Sequence, residues 1–112
     1  MTQTFGMRKR VRVVSYRRAG RLLPKRADGL RAGAVTLKPG GVMDWHSNGA
    51  REELLIALAG RIRIELRSSS RKSRRLALAA GHCALLPSRT LHRVLNRSRR
   101  LATYLYVTAS SR

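Results

Sequence analysis

The sequence predicts an all-β fold, a single-domain barrel or sandwich. Three observations carry this reading. Apolar runs of four to seven residues recur along the chain, separated by Gly, Pro, Ser or Asn. In "RIRIELR" the pattern alternates strictly, with Ile62, Ile64 and Leu66 on one face and Arg61, Arg63, Glu65 and Arg67 on the other. Helical periodicity is nowhere sustained. At 112 residues the chain makes one domain, large enough to build a core without disulfide or metal staples.

The elements follow in order. A basic segment, 1–29, contains a candidate strand Val11–Tyr16 and is expected to form strand or to pack on the barrel or on a partner subunit. The barrel itself occupies about 30–108. Its strands are expected at Gly33–Leu37, Met43–His46, Glu53–Ala59, Arg61–Arg67, Leu76–Ala79, Cys83–Leu86, His92–Asn96 and Leu101–Thr108. The breaks between them read "KPGG", "AG", "SSSRKS", "AAG", "PSRT" and "NRSRR". "SSSRKSRR" is the most loop-like tract. In "ELLIALA" both faces are apolar beyond Glu53, and "LATYLYV" is likewise apolar on both sides. Such strands need cover on each face. A barrel whose outer wall is buried in a homodimer accounts for this; two sheets packed within one chain are the alternative.

Charge is the most unusual feature. Twenty-five Lys and Arg stand against five Asp and Glu, a formal net charge of +20. A field of that sign attracts nucleic acid, anionic lipid or acidic small molecules. The arginines are spread along the chain, and a solvated outer face is the simpler account. Few aromatics are present to stack bases, so nucleic-acid binding is the weaker alternative. No apolar run reaches membrane-spanning length and no secretory leader is visible, so no membrane partner is expected. The single cysteine, Cys83, excludes an intramolecular disulfide framework, and the expected location is the cytoplasm.

Against this background one cluster stands out. His46, Asn48, Glu52 and Glu53 fall within eight positions in a chain with three histidines and five carboxylates. A carboxylate opening an apolar strand needs a partner if it faces inward. Far along the chain, His92 opens another strand. A barrel wall can bring His46, Glu53 and His92 together, and two imidazoles with one carboxylate suit Fe(II), with Mn, Zn, Ni or Cu as further candidates.

These two windows resemble the paired motifs of the cupin family, small double-stranded β-helix barrels of jelly-roll type. The first motif, G-x5-H-x-H-x(3,4)-E-x6-G, is matched by Gly40, His46, Asn48, Glu53 and Gly60. The second, G-x5-P-x-G-x2-H-x3-N, is matched by Gly81, Pro87, Arg89, His92 and Asn96. Two positions depart from the family pattern: Asn48 stands for the second histidine and Arg89 for a glycine. By resemblance His46, Asn48, Glu53 and His92 take the four metal-ligand places, with Asn48 a weak, neutral ligand or a place left to water or substrate. Arg89 is expected to sit in a loop and to put a guanidinium near the barrel mouth.

The remaining polar candidates carry plainer expectations. Glu52 is expected on the surface, Asn96 to satisfy backbone at a strand end, and Cys83 in the core. Trp45, Tyr104 and Tyr106 are expected in core or pocket wall, and His82 is not recruited. The resemblance implies a small cupin that binds a divalent metal and acts on a small, possibly anionic, molecule as an oxygenase or isomerase. A non-catalytic ligand-binding or sensory cupin is the alternative.

Overall fold

A computed structural model describes residues 11–24, 29–68, 70 and 72–110. Nine strands form two antiparallel sheets: β1 Gly20–Arg21, β2 Leu30–Leu37, β3 Val42–Ser47, β4 Arg51–Ala59, β5 Arg61–Arg67, β6 Ser73–Ala79, β7 Cys83–Leu86, β8 Leu91–Leu95 and β9 Ala102–Ser110. One sheet has the order β1-β2-β9-β4-β7 and the other β3-β8-β5-β6. No helix long and apolar enough to cross a membrane occurs among the described residues.

Alternation dictates how the sheets close on each other. Leu55 and Ala57 of β4, Ile62 and Ile64 of β5, Leu78 of β6, Leu86 of β7 and Val94 of β8 point inward. With Leu37, Ala102 and Tyr104 they form one buried cluster. Burying such side chains contributes about 1.5–3 kcal/mol each. The cluster fills one end of the barrel. Toward the other end the inward series continues along β4 as Ala57, Leu55 and then Glu53, so the core strand leads directly to a buried carboxylate.

Most expected strands are present, several longer by one to three residues at an end. Three expectations need correction. Val11–Tyr16 is not a strand: Val11 and Val13 are 94% and 96% exposed, and only β1, not anticipated, pairs with β2 through Gly20↔Ala34 and Arg21↔Gly33. A strand needs a hydrogen-bonded neighbour, and within one chain this segment has none. Cys83 is exposed rather than in the core, because it opens edge strand β7 on its outer face. Trp45 lies neither in the core nor on the cavity wall, for a reason set out below. Of the tract 68–75, residues 69 and 71 lie outside the described residues, and Ser73–Arg75 belong to β6. Residues 1–10 and 25–28 of the basic N-terminal segment also lie outside them.

Two polar devices hold the ends of the barrel. Asn96 is fully buried where β8 ends. Its Nδ2 donates to the carbonyls of Leu37 (2.9 Å) and Arg100 (2.7 Å), and its Oδ1 accepts from Ser98 N (3.0 Å) and Oγ (2.7 Å). The amide thus satisfies backbone groups of three residues, one at the end of β2 and two in the β8–β9 loop, the structural role its place at a strand end suggests. On the outer face, Arg93 Nη2 meets Glu65 Oε1 at 2.7 Å and Arg63 Nη1 meets Oε2 at 3.6 Å. The hydrogen bond from Arg93 leads the causes that hold the Glu65 carboxyl below its usual range.

Arg89 explains one departure from the family pattern. It has φ of 60°, the only non-glycine residue with positive φ among those described. Its N–H donates to the Gly49 carbonyl at 2.6 Å, tying the β7–β8 turn to the β3–β4 turn. A side chain in this conformation costs about 1–2 kcal/mol. Arg89→Gly should therefore raise stability in urea unfolding by up to about 1 kcal/mol, the strain relieved less the added chain entropy. Glu65 predicts the pH dependence. Its folded pKa lies below the ordinary 4.5, so its stabilisation is present above that pH and lost as pH falls through the lower folded value. Glu65→Gln should cost stability at pH 7, and the deficit should shrink toward pH 3 in acid-unfolding curves.

Candidate metal centre

Three side chains converge where the two sheets face each other beyond the apolar core. His46 of β3 and His92 of β8 are direct cross-strand partners, and Glu53 of β4 faces them from the other sheet. One candidate ligand atom from each lies within 4.8 Å of the others. The imidazole centroids are 4.3 Å apart, with the rings inclined by 57°.

Local structure aims each ring. Between Met43↔Val94 and His46↔His92 the β3–β8 register shifts, so three steps along β3 oppose two along β8. This bulge returns His46 to the inner face, which alternation from Met43 alone would deny it. The bulge also turns the Asp44 carbonyl onto His46 Nδ1 at 2.7 Å. On β8 the Thr90 carbonyl meets His92 Nδ1 at 2.9 Å. A carbonyl only accepts, so each Nδ1 carries a proton, and the neutral form of either ring then has its lone pair on Nε2, as a metal ligand needs.

His92 and Glu53 are both buried. His92 Nε2 has no hydrogen-bond partner and lies 3.4 Å from Glu53 Oε1. Burial raises the Glu53 pKa, with the nearby His46 opposing, and burial lowers that of His92 despite the Thr90 hydrogen bond. Both directions penalise the charged forms, so the fold does not supply the pair with a stable internal ion pair. With Glu53 ionised, the Nε2 lone pair faces a carboxylate at this distance with no positive centre between them. The residues therefore fit a divalent cation: two neutral imidazoles and one carboxylate, each imidazole braced by a backbone carbonyl.

Asn48 is hydrogen-bonded to a neighbouring turn. Its Nδ2 donates to the carbonyls of Pro87 (2.8 Å) and Leu86 (3.4 Å), and its Oδ1 accepts from Thr90 N (2.8 Å). The side chain clasps the β7–β8 turn, and the residue lines the same cavity as the triad. β3 ends at Ser47, so Asn48 falls just beyond the extended strand expected to carry both side chains.

The triad lies in a cavity of about 720 Å³ that runs from buried Glu53 and His92 to exposed Arg21 and Arg31. Tyr104 and Tyr106 line it, as their strand alternation suggests. Gly33, the cross-strand partner of Tyr106, leaves room for that ring; any side chain there would collide with it. Burial first, and then Glu53 and Tyr106, push the Tyr104 hydroxyl far above the usual phenol range, so it stays protonated.

Three arginines line the cavity that motif reading did not single out: Arg21, Arg31 and Arg51. Arg51 is held by Thr108 Oγ1 (2.8 Å) and O (3.0 Å), Ser110 Oγ (3.1 Å) and the Gly29 carbonyl (3.2 Å), all neutral acceptors. Arg31, Thr108 and Glu53 are consecutive cross-strand partners, so Arg31 stands two strand spacings, about 10 Å, from Glu53 along one inner row. The signal available in the sequence was parity: Arg51 and Glu53 share a face. Arg89, by contrast, is exposed and does not line the cavity. Trp45, displaced outward by the β3 bulge, lies on the opposite face under Arg67 and Arg93.

Comparison with known proteins agrees with this architecture. None of the curated protein sequences matches. Among solved structures, oxalate oxidase superposes with a TM-score of 0.68 at 20% identity, over 73% of this chain and 42% of that one. The Schizosaccharomyces pombe Cnp3 cupin domain gives 0.71 at 14%, over 83% and 64%. Bacillus subtilis oxalate decarboxylase, studied for its Mn(II) centres, gives 0.66 at 20%, over 75% and 22%. The chain thus spans less than half of either oxalate enzyme, and the likeness is one of fold. The cupin domain family model matches residues 33–108, the segment from β2 to β9 that holds both motif windows and the triad; the chain belongs to the cupin family.

Proposed function

We propose that this is a metal-dependent cupin in which His46, Glu53 and His92 hold a divalent cation and the cavity above them takes a small anionic molecule. The observation that carries the reading is the buried, unpartnered Nε2 of His92 set against Glu53. Fe, Mn, Zn, Ni and Cu suit this donor set; ions that demand all-oxygen ligands do not. Bound there, such a cation supplies Lewis acidity toward substrate oxygens and, if it is iron, a route to dioxygen.

The chain's own residues do the rest. Carbonyls of Asp44 and Thr90 hold both imidazoles with Nε2 inward. Asn48, by clasping the turn that carries Thr90, keeps that brace in place and leaves further coordination positions to water or substrate. Tyr104 offers a protonated hydroxyl, a donor rather than a base. Arg21, Arg31 and Arg51 give the rim a positive character that Glu53 does not neutralise, and they favour a carboxylate or phosphate on the ligand. A molecule reaching from Arg31 to the triad carries its anionic group several bonds from the oxygens that meet the cation, and so is longer than oxalate.

A second reading rests on Asn48. With its amide spent on the turn, the protein contributes three ligands where the family pattern offers four, as expected of a cupin that binds a ligand without turning it over. The two readings share the cavity and differ in whether a loaded protein changes its ligand.

The outer face of the five-stranded sheet supports a homodimer. Leu54, Ile56, Leu85, Leu105 and Val107 share that face, and no arginine joins them despite the chain's composition. The five strands, two to nine residues long, present about 500 Å², the greater part of the roughly 800 Å² per partner of a stable interface.

Two measurements test these points. Plasma mass spectrometry should find near-stoichiometric transition metal in the purified protein and little in Glu53→Gln. Added metal at about 100 times its Kd should stabilise the wild type by about 2.7 kcal/mol and leave the variant unmoved. No metal in either, even after reconstitution, contradicts the proposal. Sedimentation should give a dimer that Leu105→Arg dissociates; a wild-type monomer at tens of micromolar, on the order of ordinary working concentrations, would exclude this interface.

A further inference from the structure

The arginines that alternate along β5 belong to a larger block. Cross-strand pairing places Arg75 of β6 and Arg93 of β8 on either side of Glu65, on the face that carries Arg61, Arg63 and Arg67. Five guanidinium groups and one carboxylate therefore share the outer face of the four-stranded sheet, a surplus of four positive charges. Glu65 occupies Arg63 and Arg93, and among the described residues Arg61, Arg67 and Arg75 have no carboxylate partner. Asp44, at the β3 edge, turns its Oδ1 onto the Trp45 amide at 2.8 Å.

Trp45 organises this block. The Arg67 guanidinium carbon lies 4.3 Å and that of Arg93 4.9 Å from its ring centroid. Stacking on indole fixes the guanidinium planes, which lowers the ordering cost of using them again in recognition. A base-composition bias toward Arg would decorate both outer faces alike. It does not: the outer face of the five-stranded sheet holds Leu54, Ile56, Leu105 and Val107 at equivalent positions.

We infer that this arginine–tryptophan face is a docking surface for single-stranded nucleic acid. The charge identifies a polyanion, and the geometry selects among polyanions. Alternate residues along β5 step by about 6.8 Å, on the order of the phosphate spacing of an extended strand. Guanidinium planes held against a sheet offer stacking surfaces to unpaired bases. A flat sheet face has no helix or ribbon to enter a duplex groove. Trp45 is half-buried beneath two guanidiniums, not free to insert into a lipid surface. This surface is separate from the metal centre and on the opposite side of the same sheet.

The test is fluorescence polarisation of the full chain with a labelled oligo-deoxythymidine of about 20 nucleotides across a salt series. Arg67→Glu/Arg75→Glu should weaken binding about tenfold or more at about 100 mM salt and lower the salt slope by about 1.4, two phosphate contacts at about 0.7 each. Arg97→Glu/Arg99→Glu makes the same charge change in the exposed β8–β9 loop and should cost less than about threefold. Arg67→Lys, which keeps the charge and gives up the plane, should weaken binding at an unchanged slope and decides the matter should the double reversal fail to fold. Equal losses in the two double variants would overturn the inference, as would absent wild-type binding at about 50 mM salt. Tighter binding to phosphatidylserine vesicles through the same arginines would overturn it also.

Discussion

The interaction on which the site depends is the approach of His92 Nε2 to Glu53 Oε1, 3.4 Å apart at the buried end of the cavity. In an apolar barrel that approach is unfavourable when both groups are neutral-tautomer imidazole and carboxylate, because two lone pairs meet with nothing positive between them. The rest of the barrel keeps the arrangement in place. Core side chains from Leu37 to Tyr104 fix the sheets, Asn96 seals one end, and carbonyls at Asp44 and Thr90 deny the imidazoles any other tautomer. Folding energy gathered in the apolar end thus supports a polar end that is unfavourable without a cation.

Three surfaces of the chain carry three chemistries, and strand parity separates them. Inward residues of β3, β4 and β8 make the triad, with an arginine-lined cavity leading to it. Outward residues of β4 and β9 are mostly apolar, with Glu52 a charge at one end. Outward residues of β5, β6 and β8 are arginine-rich around one glutamate. A dimer formed through the apolar faces would leave both arginine faces and both cavities open, so none of the three uses excludes another.

Much of this was legible in the sequence because period-two patterns report burial directly. Arg61–Arg67 and Cys83–Leu86 begin and end where the alternation and the turn residues say they should. His46, Glu53 and His92 were legible for the same reason, helped by motif spacing. What was not legible depends on single-residue irregularities or on partners distant in sequence. The β3 bulge flips parity between Met43 and His46 and sends Trp45 outward, and nothing in "VMDWHS" announces an extra residue. Asn48 follows the end of β3, and its amide meets the turn at Leu86–Thr90. Arg21 and Arg31 join the cavity because β1 pairs with β2 and β2 with β9, pairings that no local pattern encodes. Arg89 shows the opposite case: a glycine position in the motif keeps its positive φ although the residue has changed.

The central claim is that His46, Glu53 and His92, and not Asn48, bind one cation. X-ray absorption at the metal edge of protein reconstituted with zinc measures this most directly. The account predicts scattering from two imidazole rings at about 2.0–2.1 Å, together with light oxygen ligands, unchanged in Asn48→Ala apart from weaker occupancy. A spectrum without imidazole scattering, or one whose ligand set changes when Asn48 is removed, would contradict it.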